Sequence, residues 1–482
     1  MTQAESRFPG RALCVDLDGT LVATDTLVES VVLLLKSRPW LFPWACVALF
    51  RDRAYAKSVV ARRAPIEPSV LPYRQEVLDL IRDRRDRGDR IVLATASNRR
   101  TADAVAEYLG CFDLVVASDD RVNLKGAAKV DAIRGELGEM RWDYVGDSSA
   151  DLPVWQAADG AILVAVDRST AQAVSAHRPD AQTLVPPAEL LKPALRGIRV
   201  HQWSKNLLLL VPMLTGHLVT AGNLLTLFWA ILSMGLCASS VYLLNDLFDA
   251  PSDRRHPRKK HRPIASGALP LSGAAVMVLV GLVLSFTLAW IGVGPAFLGM
   301  VGAYLILTTG YSVLLRSKPM IDVITLASLY TLRLIAGGVA IGVQVSHWLL
   351  VFSMFLFLSL AFAKRYAELM SLGRPQAQHR VRGRGYMPTD LPLLGVFGPV
   401  SGYLAVLVFV MYLNSNKVAQ LYREPYVLWL VCPILLYWVG RTWLITTRGR
   451  MHDDPVVYAI KDPGTYMCAF LILLFGVLAG PL

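Results

Sequence analysis

The chain has 482 residues, 54% of them hydrophobic and only 18% charged, with 49 Lys and Arg against 37 Asp and Glu for a net charge of +12. That apolar fraction is too high for an ordinary soluble protein and predicts membrane spans, while the length predicts two or more domains. Six widely separated cysteines without paired spacing exclude a disulfide framework.

The first residues, MTQAESRFPG, are polar and the apolar run behind them contains aspartates, so no signal peptide is expected. Up to about residue 190, short apolar runs alternate with charged segments. RALCVDLDGTL, RIVLATASN, DLVVASD, WDYVGDS and GAILVAVD predict buried strands ending in polar residues. VLDLIRDRRDRG and ADAVAEYLG predict helices between them, which together make a parallel sheet covered by helices. Asp16 and Asp18 stand two residues apart where the first strand ends, on a turn relaxed by Gly19. Thr95 in LATAS, Lys125 in NLKG, and Asp147 and Asp151 in VGDSSAD fall where the loops of an open parallel sheet converge. Asp119 and Asp120 read as helix caps or solvated acids.

These four ordered elements resemble the haloacid dehalogenase (HAD) superfamily, particularly its phosphoserine-phosphatase-like members, over roughly residues 10–185. The resemblance implies a Rossmann-like α/β domain over 1–187, with a small helical cap at about 25–85. It makes Asp16 the nucleophile and Asp18 the general acid/base, with Thr95 and Lys125 on the transferring phosphoryl group. Mg2+ would be held by Asp147 and Asp151 together with Asp16 and Asp18. Lys129 competes for the lysine role, and the NxKG context of Lys125 favours the latter. The bland alternative is a degenerate copy that only binds.

Within the cap, VVLLLKSRPWLFPWACVALF is nearly long enough to span a membrane, but Lys36, Pro39 and Pro43 interrupt it. A single crossing there would separate Asp16 from Thr95 and Asp147, so cap core is expected, resting on the membrane or on the second half of the chain. Trp40 and Trp44 suit either an interfacial position or ordinary packing.

PPAELLKPALRG begins the link to the second half, with a linker and membrane-surface segment at 188–204. Apolar segments near 206–222, 223–246, 271–291, 293–315, 320–342, 346–363, 391–413, 426–446 and 465–482 each approach the ~20 residues of one crossing. They predict an all-α integral membrane domain of nine helices over 205–482. The loops near 250–270, 316–319, 364–388 and 447–463 hold nearly all the Lys and Arg of this half, whereas the alternate loops carry only Lys417 and Arg423. The positive-inside rule therefore predicts the cytoplasmic membrane, the N-terminal half in the cytoplasm and the C-terminus outside. Topology and anionic lipid explain the excess charge, so no nucleic acid partner is expected.

In VYLLNDLFDAPSD, Asp246, Asp249 and Asp253 are spaced by three and four and share one helical face. Carboxylates at membrane depth are expensive, and oxygen-only ligands favour magnesium completed by substrate phosphates. The plain reading is a solvated helix end paired with Arg254 and Arg255. Arg258, Lys259, Lys260 and Arg262 follow as phosphate contacts or topology anchors. Lys318, Asp322 and Arg333 form a second constellation, with Arg333 placed mid-span among leucines. In FAKRYAEL, Lys364 and Glu368 share a face at a span end, as a site element or a surface anchor. Paired glycines near 337 read as helix packing.

NDLFDAPSDRRHPRKKHRPIASG, HQWSKN, the 311–338 stretch and AKRYAEL resemble the UbiA superfamily of intramembrane prenyltransferases, and within it the decaprenyl-phosphate phosphoribosyltransferases, over roughly residues 195–480. The resemblance implies transfer of phosphoribose from phosphoribosyl pyrophosphate to a polyprenyl phosphate. Mg2+ on Asp246, Asp249 and Asp253 would meet the departing pyrophosphate. Lys205, Arg262, Lys318, Arg333 and Lys364 would serve the remaining phosphate contacts, and Asn245 would orient water or ribose. Aromatic prenyltransferases of the superfamily usually carry a second aspartate-rich motif; here that region offers Asp322 with Lys318 and Arg333, which favours a phosphoribosyl donor. The sequence thus predicts a bifunctional membrane enzyme whose phosphatase half removes the product's 5-phosphate. Two alternatives stand beside it: a prenyltransferase acting on an aromatic or lipid acceptor, and an inactive anchor for the phosphatase. A homo-oligomer is compatible with each.

Overall fold

Parallel pairing puts β1 (Arg11–Val15) at the centre of a six-stranded sheet in the computed structural model, which describes residues 10–41, 47–48, 53–119, 122–187, 189–371, 385–451 and 455–480. Trp44 and Asp120 lie outside the described residues. The other strands are β2 (Arg90–Asn98), β3 (Leu114–Ser118), β4 (Arg141–Gly146), β5 (Gly160–Val164) and β6 (Gln182–Val185), in the order β3-β2-β1-β4-β5-β6. All five strands expected from the sequence are present. β6 was missed because its four residues are half-buried at best and carry no buried run.

Every ladder is parallel, so the sheet is covered on both faces. Ala12 and Cys14 of β1 pack with Val92, Ala94, Trp142 and Tyr144 on one side. Leu13 and Val15 pack with Ile91, Leu93 and Val145 on the other, as a period of two requires. Strand order reverses at β1, and the loops leaving β1, β2 and β4 therefore meet beyond their C-terminal ends.

The insert after β1 begins with α1 (Thr26–Ser37), capped by Asp25, whose side chain accepts from Val28 N at 3.0 Å. It continues with α2 (Arg53–Arg63) before α3 (Gln75–Asp86) returns to the sheet. Leu34, Val60 and Ala64 bury a small core between α1 and α2, the insert expected to form the cap. Trp40 is exposed. The remaining sheet helices are α4 (Arg99–Leu109), α5 (Ala127–Leu137), α6 (Leu152–Ala157) and α7 (Arg168–His177), followed by α8 (Leu191–Ile198).

Seven helices among the described residues are long and apolar enough to cross a membrane. They are α9 (Ala221–Arg254), α10 (Leu271–Gly292), α11 (Pro295–Leu315), α12 (Ile321–Ala340), α13 (His347–Met370), α14 (Pro388–Leu413) and α15 (Pro425–Thr447). Two of the nine expected segments, 206–222 and 465–482, are not among these seven. The 206–222 segment breaks into a 3-10 helix, Val200–Leu210, and a short α-helix, Val211–Thr215, because Pro212 and Gly216 interrupt it. The last helix, α16 (Pro463–Leu478), has only 16 residues.

The chain divides into two compact units, Met1–Ile198 with Tyr242–Val278, and Arg199–Val241 with Leu279–Leu482. The first joins the sheet to the polar end of α9 and the loop after it, where Leu243, Leu247, Ala250, Ile264 and Leu269 form a buried cluster. In the second, Ser233 and Ser285 exchange bonds to each other's carbonyls at 2.8 Å. Gly337 there lets its helix approach the Leu209 backbone, consistent with a packing role for the paired glycines.

Candidate functional site

At the end of β1, Asp16 N donates to Val145 O at 3.0 Å, which aligns the aspartate with the end of β4. Gly19 follows with φ +72°, and a Cβ there would meet Asp147 Oδ2 at 1.9 Å. Only glycine lets the turn and the acid approach this closely. Asp16, Asp147 and Asp151 have carboxylate oxygens within 4.8 Å of one another, the arrangement that could hold a cation. Asp16 Oδ1 is buried without a hydrogen bond, although Lys129 Nζ lies 3.2 Å away. An all-oxygen set with an unbonded buried oxygen fits magnesium.

Asp18 is not part of that trio. Its oxygens accept from Thr26 N at 2.7 Å and from Ser97 Oγ, which points it toward the cap. Thr95 is buried and receives Ser97 N at 3.0 Å.

The structure buries Lys129 and not the expected Lys125. Lys125 is exposed, while Lys129, one turn further along and on the inward face of α5, is buried. Its ammonium lies 3.1 Å from Asp151 Oδ1 and donates to Tyr144 OH at 2.7 Å. The spacing in NLKG could not show which face of α5 turns inward. The cap adds Lys57, which the sequence did not single out: it donates to Ala96 O at 2.9 Å and Asn123 Oδ1 at 3.1 Å, beside a cleft lined by Thr26, Ser30, Ser97 and Asn98.

Burial pushes Asp16 up to about 7, against the pull of Lys129. Burial and then the Asp25 charge raise Asp18 to about 6, opposed by its bonds from Ser97 and Thr26. Burial, reinforced by Asp16, raises Asp147 to about 8. Burial alone would depress Lys129, but Asp16 and Asp151 hold it above its usual value. Acids poised near neutrality around a charged lysine suit phosphoryl transfer through a carboxylate.

In the first unit, the end of α9 presents Asn245 half-buried and Asp246 and Asp253 buried. Arg262 Nη1 bridges Asp246 Oδ1 at 3.1 Å and Asp253 Oδ2 at 2.7 Å, and Lys36 Nζ reaches Asp249 Oδ1 at 3.2 Å. Two cations thus face these three acids, and Arg262 contacts the acids themselves. Their donors are all oxygen, but among the described residues it is the oxygens of Asp16, Asp147 and Asp151 that converge within 4.8 Å, and Asp246, Asp249 and Asp253 do not form such a group.

In the second unit, Arg333 is buried mid-helix, as its cost in an apolar span demands. It donates to Asn206 Oδ1 at 3.0 Å, Leu329 O at 2.8 Å and Tyr304 OH at 2.9 Å, and lies over the rings of Tyr304 and Tyr330. Lys205, also buried, sits over Tyr330, and Asn206 Nδ2 has no hydrogen-bond partner. Asp322 does not join this group. It accepts from Arg365 Nε and from Tyr386 OH at 2.7 Å. Arg365 is fully buried and also holds Glu368 at 2.6 Å and Tyr311 OH at 2.7 Å. Lys318 is exposed and Lys364 half-buried. Sequence reasoning chose Lys364 and missed its neighbour Arg365, since adjacent residues differ by ~100° around a helix and only packing decides which is inside.

The UbiA prenyltransferase family model matches residues 209–462, and that of haloacid dehalogenase-like hydrolases matches 13–156. The protein y4nM of Sinorhizobium fredii is 34% identical over 472 residues, 97% of this chain and 90% of that one. Nodulation protein NoeC of Azorhizobium caulinodans is 35% identical over 56% of this chain and 87% of its own. A decaprenyl-phosphate phosphoribosyltransferase of Corynebacterium glutamicum is 37% identical over 43% of this chain and 63% of its own.

Proposed function

We propose, from the premise that the chain belongs to the UbiA prenyltransferase family and carries a haloacid dehalogenase-like hydrolase domain at its N-terminus, that it moves 5-phosphoribose from phosphoribosyl pyrophosphate to a polyprenyl phosphate and then removes the product's 5-phosphate. The observation that carries this reading is the fate of Asp322. Arg365 and Tyr386 occupy both its oxygens, so it makes a poor second metal ligand. In the same unit the cations Lys205 and Arg333 are also buried. A site with cations in place of a second acidic motif suits a donor that brings an extra phosphate. The likeness to a decaprenyl-phosphate phosphoribosyltransferase supports the same donor and acceptor.

In the transfer, an oxygen of the lipid phosphate bonds to the anomeric carbon as the carbon–oxygen bond to pyrophosphate breaks, and the electron pair leaves on pyrophosphate. Lys205 and Arg333 stabilise the phosphate charge from fixed positions, with Lys318 and Lys364 as outer contacts. Asn245 orients the ribose, and Arg262 holds Asp246 and Asp253 in place. In the second reaction Asp16 attacks the phosphorus of the 5-phosphate while Asp18 gives a proton to the departing ribose oxygen. Asp18 then takes a proton from the water that hydrolyses the aspartyl-phosphate, which releases phosphate and restores Asp16. Thr95 and Lys129 hold the phosphoryl oxygens, with Lys129 replacing Lys125 in that part. Asp16, Asp147 and Asp151 would hold magnesium in the sheet site, and Asp246, Asp249 and Asp253 are proposed to hold it in the other, where it would supply Lewis-acid neutralisation of developing charge.

The loop charges support placing the sheet in the cytoplasm, where a soluble sugar donor is met, and the C-terminus outside. Val200–Leu210 and Val211–Thr215 laid end to end reach roughly 30 Å, enough for the crossing this topology asks of them.

The test is to incubate purified full-length protein with labelled phosphoribosyl pyrophosphate, magnesium and a polyprenyl phosphate. The parent is expected to yield lipid-linked ribose, and Asp16→Asn lipid-linked ribose 5-phosphate. A 5-phosphate that survives with the parent sinks the coupling. Prenylation of an acceptor without phosphoribose consumption sinks the donor.

A further inference from the structure

Helix α1 of the cap has two working sides. At its start, Thr26 N donates to Asp18 Oδ1 at 2.7 Å, and Thr26 Oγ1 bonds Ser97 Oγ at 3.0 Å. Along its length Val28, Glu29, Val32 and Lys36 fall on one face. That face meets the segment carrying the acids of α9. Val28 and Val32 pack against the cluster of Leu243, Leu247 and Ala250. Glu29, 2% exposed, accepts from Arg254 Nη2 at 2.5 Å and from Thr24 Oγ1 at 3.0 Å. Arg254 Nε in turn closes the following loop on Ala265 O at 3.0 Å. Further along, Gly267 has φ +77° and a Cβ there would meet Ala23 O at 2.5 Å, so the two backbones pass in close contact.

Two ion pairs link α1 to this segment, and burial separates their importance. The Lys36–Asp249 side chains are 40% and 20% exposed, a setting in which pairs contribute little. The Arg254–Glu29 side chains are 7% and 2% exposed, where loss of one partner strands a buried charge. Thr24 belongs to the turn that carries Asp18, since Gly19 N donates to Thr24 O at 3.0 Å. Glu29 therefore bonds at once to the phosphatase turn and to the residue following Asp253.

We infer that Glu29 is a positioning residue for the transferase, holding the acid-bearing end of α9 through Arg254 and tying its geometry to the Asp18 turn. The inference rests on the proposed transferase reaction for its kinetic part. Its physical content is independent of that reaction: one buried carboxylate accepts from both Thr24 and Arg254, and the Arg254 side of that contact carries the charge pair.

The experiment uses full-length protein in detergent carrying Glu29→Gln, Arg254→Gln, both together, or the charge swap Glu29→Arg with Arg254→Glu. Glutamine preserves the acceptor for Thr24, so hydrolysis of p-nitrophenyl phosphate should stay within about threefold of the parent and reports that the sheet remains folded. Lipid labelling from phosphoribosyl pyrophosphate should fall on the order of tenfold to a hundredfold in kcat, as a small misplacement of catalytic groups costs. The magnesium needed for half-maximal labelling should rise, and KM for the donor should move less than kcat. The double variant should be no worse than the weaker single one, and the swap should recover part of the loss. In a double-variant cycle of thermal midpoints the two substitutions should be less than additive. Labelling within twofold of the parent in Glu29→Gln overturns the inference, as do additive midpoints or a parallel collapse of both activities. A parent that labels no lipid overturns the donor reading instead, and the thermal cycle then decides the Glu29–Arg254 contact alone.

Discussion

Lys129 places its ammonium 3.2 Å from Oδ1 of Asp16, with both side chains buried. The same ammonium reaches Asp151, so one cation balances the acids that end β1 and follow β4. Lys129→Met, which keeps the volume and removes the charge, is expected to abolish Asp16-dependent phosphatase activity and to destabilise the domain by about 3–5 kcal/mol, the usual cost of leaving buried charges unpaired. Lys125→Ala, at an exposed position, should change the rate by less than about threefold. Rates on p-nitrophenyl phosphate with thermal melts of both variants measure this, and equal losses would reverse the assignment.

The acids of that site hold their protons to unusually high pH, Asp16 to about 7 and Asp147 to about 8, because burial disfavours their charged forms. A cation binds the deprotonated forms, so protons compete with it below these values. The magnesium required for half-maximal phosphatase activity should therefore fall steadily as pH rises from about 6 to about 8. Titration of magnesium binding by calorimetry at each pH supplies the check, and a pH-independent affinity would contradict the site.

Asp246→Asn and Asp249→Asn should each reduce lipid labelling by on the order of a hundredfold or more, since each removes charge from the proposed metal set. Hydrolysis of p-nitrophenyl phosphate by the same preparations should stay within about twofold, because the sheet site lies on other residues. Labelling that survives both changes would favour the reading of α9 as a mere solvated helix end.

Arg333 and Arg365 are both buried arginines, but they are expected to fail differently. Arg365→Gln strands Asp322 and should lower stability by about 3–5 kcal/mol, with Asp322→Asn in the same chain recovering part of it. Arg333→Gln leaves its tyrosine and asparagine partners neutral and is expected to raise the KM for phosphoribosyl pyrophosphate more than it lowers the thermal midpoint. Donor titrations paired with melts distinguish the two outcomes.

Much of the site was legible because its signals are local. The Asp16–Asp18 pair, the Gly19 turn and the 246–249–253 spacing are each set by a few neighbouring residues whose chemistry does not depend on distant chain. Which side chain turns inward is not written locally in the same way. NLKG pointed to Lys125, and AKRYAEL pointed to Lys364, whereas the inward side chains are Lys129 and Arg365. The 206–222 run was apolar enough for a span by count, yet Pro212 and Gly216 fix a different backbone.

By itself, the sequence determined that the chain has a sheet-forming half and a membrane half, and which acids end the strand and the helix, because strand period, helix period and span length are written in near neighbours. Only the tertiary structure decided which cation serves which acid: Lys129 for Asp16, Arg365 for Asp322, and Arg254 for Glu29 across 225 positions. A buried charge is satisfied by whichever partner the packed backbone brings within a few ångströms, and that choice belongs to the fold as a whole.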